Sequence, residues 1–130
     1  MKGLKNKDEG ENIMWIFSQQ GFLSVVKHTD KPNILIVRSR FRGHIEKIFG
    51  GVCVLEDPTR DYRFRAELPA KEVSVVIAKM ILKIDYENFK ACLDLDDQGY
   101  YVSCINVYNV VARNSIDWDL DNFICGREEN

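Results

Sequence analysis

Two pairs of arginines, Arg38 with Arg40 and Arg63 with Arg65, have the types and spacing best suited to act together. In a β-strand, side chains two positions apart leave the same face. Each pair therefore predicts two guanidinium groups on one side of a sheet, with Val37 and Ser39, and Tyr62, Phe64 and Ala66, on the other. A guanidinium is permanently charged and donates two parallel hydrogen bonds, which suits phosphate. Arg42, His44, Lys47 and Arg60 would extend such a face. Aromatic rings beside it, for which Phe22 and Phe41 are candidates, would add base stacking to phosphate pairing and point to nucleic acid. The plainer reading is that these arginines solvate an open sheet face, or pair with the acids of residues 85–97 and 117–121.

A second pattern is the alternation Ile116-Asp117-Trp118-Asp119-Leu120-Asp121. Its two-residue period puts Ile116, Trp118 and Leu120 on one edge and the three aspartates on the other, which predicts an edge strand or an extended docking segment. Such a segment can add to a partner's sheet edge, so a host protein is one expected partner. Folded back, it would neutralise the arginines. Packed inward, it would cap the core, because Trp118 is costly to leave in water.

For enzymology the inventory is thin. His28 and His44 are the only histidines, and no Gly-x-Ser-x-Gly, Walker loop, Rossmann glycine set or His-Glu-x-x-His occurs. Either histidine could serve a small hydrolase as general base, if a cleft set it beside an arginine pair and a carboxylate. No catalytic residue is assigned. Asp94, Asp96 and Asp97 lack calcium-loop spacing, and Cys53, Cys92, Cys104 and Cys125 contain no Cys-x-x-Cys, so no metal or other cofactor is expected. Cys92 and Cys104 fall on apolar stripes of predicted helices and are expected in the core.

The elements that must position these residues follow from local punctuation. Ile13 to Phe17 and Phe22 to His28, around Ser18-Gln19-Gln20-Gly21, read as a hairpin, and Ile34 to Arg40 as a third strand. Gly43 to Phe49 predicts a short helix ended by Gly50-Gly51. Val52 to Glu56 and Tyr62 to Leu68 read as two further strands. After Pro69, residues Val73, Val76, Ile77, Met80, Ile81 and Ile84 predict a helix with only a narrow wet band. A helix capped by Asp85 and carrying Tyr86, Phe89 and Leu93 should follow, then another over Tyr101 to Arg113. Strands precede helices without regular alternation, so the fold class is α+β: an antiparallel sheet with helices packed on one face, with a ferredoxin-like variant as the architecture to test. Residues 1–12 read as a flexible leader, 13–114 as a single domain, and 115–130 as an acidic C-terminal tail or capping strand.

A length of 130 residues with 45% apolar and 29% charged content fits one globular domain that needs no disulfide staples. Apolar runs such as Ile34 to Val37 and Val75 to Ala78 are four residues, against the roughly 18–20 that span a bilayer. No membrane partner is expected. Without a basic-then-apolar start, the cysteines predict a reduced, cytoplasmic setting. The net charge of −2 conceals segregation, since residues 27–65 hold nine Lys and Arg against five acids, and residues 85–98 one against five.

The blocks Met14-Trp15-Ile16-Phe17, Gly21-Phe22-Leu23-Ser24-Val25-Val26, Val37-Arg38-Ser39-Arg40, Asp61-Tyr62-Arg63-Phe64-Arg65 and Ile84-Asp85-Tyr86-Glu87-Asn88-Phe89-Lys90 resemble, together, a family of small uncharacterised bacteriophage and bacterial proteins. The resemblance spans Met14 to about Arg113 and implies no activity, although its phage setting makes counter-defence an expected context. The expected function is a small non-enzymatic protein that engages nucleic acid or a host nucleoprotein complex through the arginine face. A docking inhibitor using the Trp118 segment and a small hydrolase are the alternatives. The oligomeric state is left open.

Overall fold

A computed structural model describes residues 13–129, with side chains as far as Ser115. The leader assigned to residues 1–12 lies outside the described residues. The chain forms two compact units, Met1–Cys92 and Leu93–Asn130. That break falls inside the span drawn from sequence as one domain.

The first unit runs β1 (Met14–Ser18), β2 (Gly21–Lys27), β3 (Ile34–Ser39), α1 (His44–Phe49), β4 (Leu55–Glu56), β5 (Phe64–Pro69), α2 (Ala70–Leu82) and a 3₁₀ turn at Lys90–Cys92. The second holds α3 (Gln98–Glu129). The strands form one five-stranded sheet in the order β1-β2-β3-β5-β4, with every neighbouring pair antiparallel. The α+β class is therefore as the sequence predicts. Three consecutive strands forming a meander leave no split βαβ unit, so the arrangement is not ferredoxin-like.

Local chemistry explains the turns. Ser18 Oγ accepts the Gly21 amide at 3.2 Å and donates to the Gly21 carbonyl at 2.9 Å, which closes the β1–β2 hairpin. Gly21 has φ +151°, and a Cβ there would lie 2.7 Å from the His44 ring. Only glycine fits beneath that imidazole. Between β2 and β3, His28 Nδ1 accepts the amides of Asp30 and Lys31, each at 3.0 Å, while Asn33 takes φ 62°. Asparagine tolerates that left-handed conformation better than most residues.

Alternation then sorts the sheet faces. Leu23, Val25, Val37, Phe64, Ala66 and Leu68 point to one side, where Ile45 of α1 and Val73 of α2 complete a buried cluster. Both α-helices described in this unit thus cover the same face. Leu23, Val37 and Ile45 are fully buried, each worth about 1.5–3 kcal/mol of hydrophobic stabilisation.

Three local expectations are corrected. Val52 and Val54 pack on the core from outside the ladder, so β4 keeps only two residues of the predicted strand. The helix expected after Asp85 is reduced to the Lys90–Cys92 turn, where Asn88 Oδ1 accepts the Lys90 amide at 2.9 Å. In α2 only Val73 is buried, whereas Ile81 is 62% and Leu82 83% exposed, so water meets far more than a narrow band. The helix over Tyr101 to Arg113 is present within α3, and Cys104 is buried as expected. Cys92 is half-buried in the 3₁₀ turn, with its Sγ donating to the Phe89 carbonyl at 2.9 Å, and burial raises its thiol above the ordinary value.

Candidate functional site

The face of the sheet opposite α1 and α2 carries the arginines. Register places Trp15 opposite Ser24, Ser24 opposite Arg38, Arg38 opposite Arg65, and Arg65 opposite Leu55. These five residues form a single row across all five strands. Arg38 and Arg65 are thus direct cross-strand neighbours, an arrangement of like charges that destabilises a sheet unless something offsets it.

The local partners do little to offset it. Arg38 Nη2 donates to Ser24 Oγ at 2.7 Å, and its guanidinium carbon lies 4.2 Å from the centre of the Tyr62 ring. Arg40 reaches the same ring at 4.9 Å. The Nε atoms of Arg38 and Arg65 are buried and have no hydrogen-bond partner among the described residues. Among the described residues, no ion pair engages Arg38, Arg40 or Arg65. Burial lowers the Arg38 guanidinium from its ordinary value, with Tyr62 partly opposing the shift. Burial also lowers Arg65, and the nearby positive charges of Arg60 and Arg38 add to the effect, with the carboxylate of Asp57 partly opposing it. Both groups remain cations, held where a further positive charge is unwelcome and an anion is favoured.

Arg63 departs from the expected set. Its Nη1 lies 4.0 Å from Glu56 Oε2 at the sheet edge, where Arg42 also grips both Glu56 oxygens, at 3.1 and 2.9 Å. The cause is that β5 begins at Phe64. Asp57 N donates to the Arg63 carbonyl at 2.7 Å, so residue 63 closes a loop instead of lying in the ladder against β3. For the same reason Tyr62 does not share the core face with Phe64 and Ala66. It lies against the arginine face, nearly parallel to Phe22 at 13° with centroids 6.3 Å apart.

An aromatic floor accompanies the arginines. Phe22 meets Phe17 at 4.9 Å, Trp15 at 6.2 Å and Phe41 at 6.3 Å. Of the two rings expected from sequence, Phe22 is buried and Phe41 packs on it, so Phe22 is foundation and not a free stacking surface. The residue that sequence reasoning missed is Trp15, which is 60% exposed at the end of the row. Its parity in β1 was legible, but its alignment with Arg38 is set by register across two strand pairs.

Both histidines are tied into the backbone. His44 is buried, stacks on Phe41 at 4.9 Å, and its Nδ1 accepts the Phe22 amide at 2.9 Å. The two amide bonds to His28 Nδ1 are joined by Glu67 Oε2, 3.4 Å from Nε2. In each ring Nδ1 already accepts a backbone proton, and the geometry gains no support for a general base. Among the described residues, no three of His, Cys, Asp or Glu gather to hold a metal ion, and no helix is long and apolar enough to cross a membrane.

Ile116, Trp118 and Leu120 fall within α3, where an extended segment was expected, and their side chains lie outside the described residues. A helix does not carry a two-residue alternation along one edge. In comparisons with protein-family models, curated proteins and solved structures, nothing matches this chain.

Proposed function

We propose that this protein binds nucleic acid, alone or within a nucleoprotein complex, through the sheet face carrying Arg38, Arg40 and Arg65, and that it acts by binding and not by catalysis. The observation that carries this reading is the direct cross-strand pairing of Arg38 with Arg65, which no ion pair among the described residues relieves. Like charges directly opposite each other destabilise a sheet, and a phosphate paired with both guanidinium groups offsets that repulsion. Extension of the cluster across neighbouring strands, with Arg40 beside it on Tyr62, favours a polyanion over an isolated small anion.

The test is fluorescence anisotropy with labelled single-stranded and duplex oligonucleotides at low salt. Wild-type protein is expected to bind, and the double variant Arg38→Gln with Arg65→Gln to lose about tenfold or more, as expected for two charge-assisted contacts. Arg63→Gln should change little, because Arg63 already faces Glu56. Absence of binding to every DNA and RNA probe would overturn the reading.

A further inference from the structure

Resting on that reading, we infer that the ligand is single-stranded nucleic acid lying across the strands along the row Trp15–Ser24–Arg38–Arg65, with a base stacked on Trp15 and phosphates on the two arginines. The row is continuous, because each member is the direct cross-strand partner of the next. Three strand steps of about 4.8 Å make a track of about 14 Å from Trp15 to Arg65, the scale of a few extended nucleotides.

The two ends of this track differ in chemistry. At one end Trp15 is a large ring, 60% exposed on the outermost strand, supported from beneath by Phe22 in an edge-to-face contact. At the other end lie the paired guanidinium groups of Arg38 and Arg65, which no ion pair among the described residues engages. Between them Ser24 is small, fully buried, and already holds Arg38 at 2.7 Å, so it fixes the guanidinium without obstructing the path.

Such a track discriminates by strandedness. A duplex keeps its bases stacked inside and has no free ring face to offer Trp15, whereas a single strand offers one at every nucleotide. Sequence preference should be weak, because Trp15 stands at an open rim and every base has a π-face.

The experiment uses the full chain with Trp118→Phe, so that Trp15 is the only tryptophan, and follows its emission during titration. The probes are a deoxythymidine octamer, its ribonucleotide counterpart, a duplex of equal length and inorganic phosphate. The octamers are expected to quench Trp15 and to bind about tenfold more tightly than the duplex, with inorganic phosphate giving no quenching. Which octamer binds better assigns DNA or RNA as the source. Trp15→Ala should weaken octamer binding about tenfold while leaving its salt dependence intact, and Trp15→Phe should restore most of the affinity. Because the ring is mostly exposed, circular dichroism should show both variants folded. If either variant fails to fold, quenching in the Trp118→Phe protein still decides. Equal affinity for duplex and octamer without quenching would overturn this inference while leaving the arginine face as a nucleic-acid site; no binding to any probe would overturn both.

Discussion

At the residue scale, the site depends on side chains whose roles are set by what they touch. Gly21 and His44 illustrate this, since the imidazole stands where a Cβ on residue 21 would be and takes the buried Phe22 amide. Gly21→Ala should destabilise the protein by about 2 kcal/mol or more, read as a lower urea midpoint, because the methyl group must displace the ring that anchors β2 to α1. Three carboxylates are held below their ordinary values: Glu56 by its hydrogen bonds from Arg42, Asp57 by Thr59, and Glu67 by Lys31. With folded values depressed, the unfolded chain binds more protons through the carboxylate range. The stability they contribute is present above the ordinary carboxylate value and is lost as pH falls through the lowered folded values. A melting-temperature profile on acidification should decline there, and less steeply in Glu67→Gln. A profile unchanged by that substitution would contradict the Lys31 and His28 contacts at Glu67.

At the element scale, α2 separates what periodicity reveals from what packing decides. The three-four spacing located the helix after Pro69, yet its contacts with the core come from Val73 and Ile77, and Ile81 and Leu82 of its last turn are exposed. Val73→Ala should cost about 2 kcal/mol, whereas Leu82→Ser, at a site 83% exposed, should stay within about 0.5 kcal/mol by chemical denaturation. Legibility from sequence followed the same division. The hairpins, the glycine-ended α1 and the start of α2 are written in neighbouring residues, namely Ser18 to Gly21, Gly50-Gly51 and Pro69. Arg38 and Arg65 were legible as residues of one sheet face, because strand alternation is local. Their direct opposition, and the addition of Trp15 and Ser24 to the same row, depend on register between distant segments. Arg63 was misplaced because the start of β5 is decided by the Asp57–Arg63 loop closure and not by the alternation Tyr62-Arg63-Phe64-Arg65.

At the scale of the whole molecule, a net charge of −2 coexists with a local cluster, Arg38, Arg40 and Arg65, that no ion pair among the described residues engages. Edge acids are spent on other cations, with Glu56 on Arg42 and Asp57 on Arg60. The affinity of a polyanion for this face should be set by the few phosphates it places there. The most direct test of the arginine face is the dependence of single-strand affinity on salt, measured by anisotropy for wild-type protein and for Arg38→Gln. Three phosphate contacts predict a slope of log affinity against log salt of about −2, and loss of Arg38 should make it shallower by about 0.7. A salt-independent affinity, or a slope that Arg38→Gln leaves unchanged, would contradict a nucleic-acid interface built on this face.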